Sequence, residues 1–202
     1  MRDNTLPHGH DHMLRRLEAF SDIVIAFSLS ELAFSLQVPT SASELFVHPA
    51  RYLAFVASFG VICSIWWLHN RLFAYFFVAD AVGIVLNFVL LSAVVMVGFA
   101  LQLFFRFEYE PVAVASYAFS LGLLYGLIAL LYAKGLRDPR LTVDAGIRRD
   151  AISRARRCAV VAVVFLGSLF AYRWGSEAME LCWLAFIPAI GALRLAQRRQ
   201  SG

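Results

Sequence analysis

Six apolar runs, separated from one another by charged residues or proline, constrain the fold of this chain more than any other feature of its sequence. An α-helix needs about 20 apolar residues to cross the roughly 30 Å hydrocarbon core of a bilayer. The runs cover residues 20–38, 51–75, 81–105, 112–135, 158–175 and 179–197. The whole chain is 60% apolar, whereas soluble domains contain roughly 45–50% apolar residues. The sequence therefore predicts an all-α integral membrane protein with six transmembrane helices.

The positive charges indicate how these six helices are oriented. Of the 18 Lys and Arg residues, 15 lie in the amino-terminal tail, near the end of the second run, from the end of the fourth run to the start of the fifth, or at the carboxyl end. Because cytoplasmic loops are enriched in Lys and Arg, this distribution predicts that both termini are cytoplasmic. The fifth run is the weakest of the six, since Arg173 and Glu177 crowd its end, and a five-span topology would reverse the carboxyl terminus. The net charge of +4 follows from this topology, so no nucleic-acid partner is expected.

The domain organisation is simple. Residues 1–15 are polar and lack the apolar core of a cleavable signal peptide, so we expect a flexible cytoplasmic tail. Residues 16–202 form a single transmembrane domain with a basic cytoplasmic loop at 134–157. The segment "HGHDH", residues 8–12, has a spacing that could hold a divalent metal, but a disordered tail is the favoured interpretation and no metal site is predicted.

A short motif at the start of the first run suggests a family. Its residues follow the pattern R-x-x-x-F-S-D, formed by Arg16, Phe20, Ser21 and Asp22. A second segment, "WWLHNRLF" at residues 66–73, ends the second run. Together with the six-span plan, these segments resemble the transmembrane-protein-175 family of potassium channels, which occurs in bacteria and endolysosomes.

This resemblance implies a homotetramer in a lipid bilayer, in which the first helix of each subunit lines a central pore for potassium or other monovalent cations. It also implies a location in the cell membrane, most simply a bacterial inner membrane, and no cofactor. In the family, a ring of bulky aliphatic side chains narrows the pore from about five residues after the motif Asp. In this chain that position is Phe27, and Glu31 stands where another apolar residue is expected.

Helical spacing independently groups the same residues. Phe27, Ser30, Glu31 and Phe34 follow the i, i+3, i+4, i+7 pattern and share one face of a helix. An ionisable side chain at this depth needs water, a cation or a polar partner. Since the resemblance implies that the first helix lines the pore, we predict that this stripe faces it, with Phe27 and Phe34 as hydrophobic constrictions. The alternative for Glu31 is a buried contact with Asn87, Ser92 or Gln102.

The motif residues have a different predicted role. Arg16, Ser21 and Asp22 are expected to form a network at the start of the helix rather than to contact permeating ions. His69, near the end of the second run, is expected to form an interhelical hydrogen bond to Ser21 or Asp22, with a proton relay as the alternative.

The predicted function is therefore a potassium-permeable cation channel. The alternative is a proton-conducting or proton-coupled transporter that loads and unloads Glu31 within the membrane. An enzyme is not expected, because the chain has no H-E-x-x-H, no G-x-S-x-G and no Gly-rich phosphate-binding loop.

Overall fold

A computed structural model describes residues 8–34, 36, 49–107, 110–184, 188 and 191, and within these ranges the regular structure is entirely helical. Six α-helices and one short 3₁₀ segment make up these ranges. In chain order they are α1 (His8–Phe34), α2 (Pro49–Tyr75), α3 (Ala81–Arg106), α4 (Pro111–Arg137), α5 (Ala145–Ser168), a 3₁₀ segment (Leu169–Trp174) and α6 (Ser176–Trp183).

Local sequence explains where several of these helices begin. The side chain of Asp80 caps α3 by accepting a hydrogen bond from the Gly83 amide at 2.7 Å. Asp144 caps α5 in the same manner through the Gly146 amide. Pro111 begins α4, where its missing N–H costs no helical hydrogen bond.

The all-helical class is confirmed, and the second, third and fourth predicted runs agree with α2, α3 and α4 to within two residues at each end. Among the described residues, three helical stretches are long and apolar enough to cross a membrane, namely α3, α4 and the continuous stretch Ala145–Trp174. Most of the sixth run lies outside the described residues.

Two segments predicted to be irregular contain helix. Helix α1 begins at His8, so the described part of the predicted tail is helical, including the whole of "HGHDH". Helix α5 begins at Ala145, so the second half of the predicted basic loop is also helical. Sequence hydropathy missed both extensions, because a helix that continues beyond the apolar region keeps its backbone hydrogen bonds while its side chains become polar.

The core of the bundle lies around α4, which packs against α3 on one side and α5 on the other, while α1 packs against α3 and α2. Its centre consists of fully buried aliphatic side chains from four helices: Leu32, Ile62, Ile65, Leu90, Val94, Leu124 and Ile128. Interiors of this kind are stabilised by close packing, so loss of a single buried side chain leaves a costly cavity.

Glycine lets α4 approach its neighbours closely at two levels. A Cβ atom at Gly122 would collide with Leu166 of α5, and one at Gly135 would collide with the backbone carbonyl of Phe76. Gly126 faces Ala162 with ordinary spacing. The G-x-x-x-G pattern at Gly122 and Gly126 therefore serves packing of α4 on α5 within one chain.

Candidate functional site

A buried chain of polar side chains joins the first three helices. The Asn87 side-chain amide, on α3, donates to Ser21 Oγ on α1 at 3.0 Å. The carbonyl oxygen of the same Asn87 side chain lies 2.9 Å from His69 Nε2 on α2. All three residues are fully buried. Asn87 thus bridges α1 and α2 from the helix that packs against both.

Hydrogen bonding within this network is nearly complete. Ser21 Oγ accepts from Asn87 and donates to the Leu17 carbonyl at 2.8 Å. With the Asn87 oxygen as acceptor, His69 Nε2 carries the proton and His69 Nδ1 is left as an acceptor. Within the described part of the chain, Nδ1 has no hydrogen-bond partner although it is buried. The His69 ring also stacks on Phe73 at a centroid distance of 4.3 Å.

The motif residue Asp22 lies beside this network and forms a separate hydrogen bond. The Trp66 indole N–H, on α2, donates to Asp22 Oδ1 at 3.0 Å. Asp22 is half-buried and Trp66 is exposed, so this contact lies at the edge of the packed surface. Next to it, the rings of Phe20 and Phe88 meet edge to face, with centroids 6.1 Å apart. Arg16 is exposed one helical turn earlier.

Two details of the predicted network differ in the structure. His69 was expected to bond directly to Ser21 or Asp22, but Asn87 lies between His69 and Ser21. Trp66 was interpreted only as part of the segment "WWLHNRLF", yet it is the partner of Asp22. Helical spacing within one segment cannot reveal such contacts, because they join residues 44 and 66 positions apart.

The opposite face of α1 carries the predicted pore-lining residues. Phe27 is 68% exposed and Phe34 is 87% exposed, and Ser30 is also exposed. Glu31 is half-buried at the border between the exposed and the packed faces. Ile23 is exposed on the same side one turn before Phe27, and the stripe predicted from sequence did not include it.

Buried and exposed residues alternate along α1 with the periodicity of a helix. Leu17, Ile25 and Leu32 are buried against α2 and α3. Phe27 follows Ile25 by two residues and Phe34 follows Leu32 by two residues, which places each Phe about 200° around the helix from its buried neighbour. A single chain therefore leaves a row of large apolar side chains, with one carboxylate at its border, without a covering helix among the described residues.

The alternative partners considered for Glu31 have other contacts. Asn87 is held by Ser21 and His69, and Ser92 Oγ donates to the Phe88 carbonyl of its own helix at 3.0 Å. Gln102 is exposed. None of the hydrogen bonds described for Asn87 or Ser92 reaches Glu31.

Within the described ranges, no group of three or more His, Cys, Asp or Glu side chains is placed to hold a metal ion. The side chains of residues 8–11, which include most of "HGHDH", lie outside the described residues. The three cysteines are free and sit on separate helices.

Comparison with known proteins agrees with the motif. The family model for the endosomal/lysosomal potassium channel TMEM175 matches residues 16–97. That range includes Ser21, Asp22, Trp66, His69 and Asn87, which form all of the polar contacts between α1, α2 and α3 described above. The resemblance inferred from R-x-x-x-F-S-D is therefore confirmed.

A relative from Marivirga tractuosa, described as a potassium channel, is 30% identical over 95 residues, which make up 47% of this chain and 38% of the relative. The chain thus spans less than half the length of that protein. A solved structure, a variant of the potassium channel MtTMEM175 in complex with a nanobody–MBP fusion protein, superimposes with a TM-score of 0.68 at 18% identity. The superposition covers 99% of this chain and 95% of the other, which establishes a shared fold.

Proposed function

We propose that this chain forms a potassium-permeable cation channel in which the exposed face of α1 lines the permeation pathway. The observation that carries the proposal is the division of α1 into two faces. One face is held to α2 and α3 by buried side chains and the Asn87 network. The other presents Phe27, Ser30 and Phe34 without cover from the described part of the chain. The family match and the relative described as a potassium channel support this function.

In this proposal the chain crosses the membrane six times, with both termini cytoplasmic. Four copies assemble around an axis so that each α1 turns its exposed face inward. The cluster of Lys and Arg residues between α4 and α5 and at both termini supports the orientation. A bacterial inner membrane is the proposed location.

The side chains on the exposed face would act in distinct ways. Rings of Phe27 and Phe34 would narrow the pathway and exclude water, so that small rotations of α1 would gate conduction by wetting and drying. Glu31 would raise the local concentration of cations. No catalytic group or cofactor is required, because the electrochemical gradient drives the flux.

The proton-coupled alternative through Glu31 is not favoured, since the family model and the relative are both described as potassium channels. Its distinguishing behaviour would be saturating flux that depends on a pH difference across the membrane.

The direct test is potassium flux into liposomes that contain the purified protein, with the same pH on both sides. Phe27→Ala should raise the flux by widening the constriction, and Glu31→Gln should lower it by removing the negative charge. Val163→Ala on α5 is the matched control, because Val163 is also exposed and apolar but lies on another helix. Flux that is absent in the wild type, or equal in all four proteins, would reject the proposal.

A further inference from the structure

An apolar groove with a positively charged rim lies between the ends of α3 and α4. Its volume is about 550 Å³, within the range of sites that hold small organic ligands. The walls are the side chains of Val82 and Leu86 from α3 and Leu130 from α4, and the rim includes Lys134 and Arg137. Both helices are among those long and apolar enough to span a membrane.

The position of the groove fits the boundary between hydrocarbon and water. Lys134 Nζ and Asp80 Oδ2 form a salt bridge of 2.7 Å, which joins the start of α3 to the last turns of α4. On the hydrocarbon side of this pair, Val82 is 58% exposed and Leu130 is 48% exposed. An elongated apolar group could therefore lie along the two helices, with a polar group beside Lys134 and Arg137.

The charges on the rim leave one unpaired cation. Lys134 is paired with Asp80, and Arg140 donates to both carboxylate oxygens of Asp138. Among the described residues, Arg137 has no such partner. Three cations and two carboxylates give the rim a net charge of +1. Lys134 also keeps two N–H donors beyond the one used by Asp80.

We propose that this groove binds an anionic phospholipid, with an acyl chain along Val82, Leu86 and Leu130 and the phosphate against Arg137 and Lys134. The apolar wall and the unpaired cation are adjacent in this groove, and an anionic phospholipid matches both of them. A zwitterionic lipid would satisfy the apolar wall, but its own ammonium group balances its phosphate, so it would leave the net charge of +1 on the rim unneutralised. Basic side chains at the membrane surface attract anionic lipids for the same electrostatic reason. The inference does not depend on ion conduction.

The test is native mass spectrometry of the full chain in detergent, titrated separately with phosphatidylglycerol and phosphatidylcholine of identical acyl chains. The wild type should bind phosphatidylglycerol about fivefold more tightly, as expected for one basic side chain near the headgroup. Arg137→Gln should abolish this preference. Arg149→Gln is the matched control and should keep it, because Arg149 is an exposed cation on α5 that does not line the groove.

A second variant tests the apolar wall without a change of charge. Leu130→Trp should fill the groove and weaken the binding of both lipids, while an unchanged elution profile on size exclusion reports that the chain remains folded. If Arg137→Gln does not fold, Leu130→Trp still tests whether the groove binds lipid.

Three results would overturn the proposal. The first is equal affinity of the wild type for the two lipids, or a preference for phosphatidylglycerol that survives both Arg137→Gln and Leu130→Trp. The second is full competition by free glycerol 3-phosphate, which would indicate a phosphate site that needs no acyl chain. The third is a complex of two chains that excludes lipid and separates in Leu130→Trp, which would assign the groove to a second copy.

Discussion

Both faces of α1 carry large apolar side chains, but the described residues bury only one of the two faces. On the packed face, Ser21, Ile25 and Leu32 are buried, and each polar atom of Ser21 has a partner within the chain. On the exposed face, Phe27 and Phe34 are as large and apolar as any core residue, yet their surfaces are left open. The contacts of the packed face hold α1 in the fold of one chain, whereas the exposed face remains accessible for the proposed function.

The largest expected difference between the faces is in stability. Ile25 is 1% exposed, so Ile25→Ala should lower the free energy of unfolding by about 2–5 kcal/mol, because it leaves a cavity in the packed surface. Phe27→Ala should change it by less than about 0.5 kcal/mol, as is usual for exposed positions. The measurement is denaturant unfolding of the two variants in detergent micelles. Equal destabilisation would remove the distinction between the faces.

A smaller effect is expected from the polar network. Asn87→Leu removes the bridge between Ser21 and His69 and leaves buried polar groups unpaired, which should cost about 1–3 kcal/mol. Ser92→Ala on the same helix is the control, since the only hydrogen bond of the Ser92 hydroxyl within the described residues goes to a carbonyl of its own helix. The same unfolding experiment compares them. If Asn87→Leu is as stable as Ser92→Ala, the network does not hold the packed face in place.

The smallest effect on stability is expected at the connection between α2 and α3. This connection lies outside the proposed transmembrane helices and supports the packed face. The hydrogen bond from Lys134, then that from the Gly83 amide, lowers the pKa of Asp80 below its usual 3.8. A lowered pKa in the folded state stabilises the chain above the unfolded value, and this stabilisation is lost as the pH falls through the folded value. Asp80→Asn keeps a capping side chain but removes the charge.

The melting temperature of Asp80→Asn should therefore be slightly below that of the wild type at pH 7, and the difference should shrink as the pH falls below about 4. A difference that is constant over this pH range would show that the Asp80 charge does not contribute to stability.

The sequence was sufficient for the features that depend on local pattern. Apolar runs located α2, α3 and α4 closely, and the R-x-x-x-F-S-D motif identified the resemblance that the family model confirms. Helical spacing also grouped Phe27, Ser30 and Phe34, which all lie on the exposed side of α1. Their role in a pore stays a prediction.

The sequence was insufficient wherever a contact joins distant segments. Asn87 was considered only as a partner for Glu31, but the packing of α3 against α1 places it between Ser21 and His69. Trp66 reaches Asp22 for the same reason. The helical start of α5 was also missed, because its arginine-rich first turns have no apolar periodicity that would distinguish a helix from a polar loop.

The central claim is that the exposed face of α1 lines the pathway for cations, and chemical block of the current tests it most directly. The three native cysteines are first replaced by Ala, and Phe27→Cys and Val163→Cys are then introduced separately. A positively charged, water-soluble thiol reagent is applied during potassium flux into liposomes. The account predicts that the reagent blocks flux through Phe27→Cys, where the thiol faces a wet axis, and spares Val163→Cys. Undiminished flux through Phe27→Cys, in a preparation that still conducts, would contradict it.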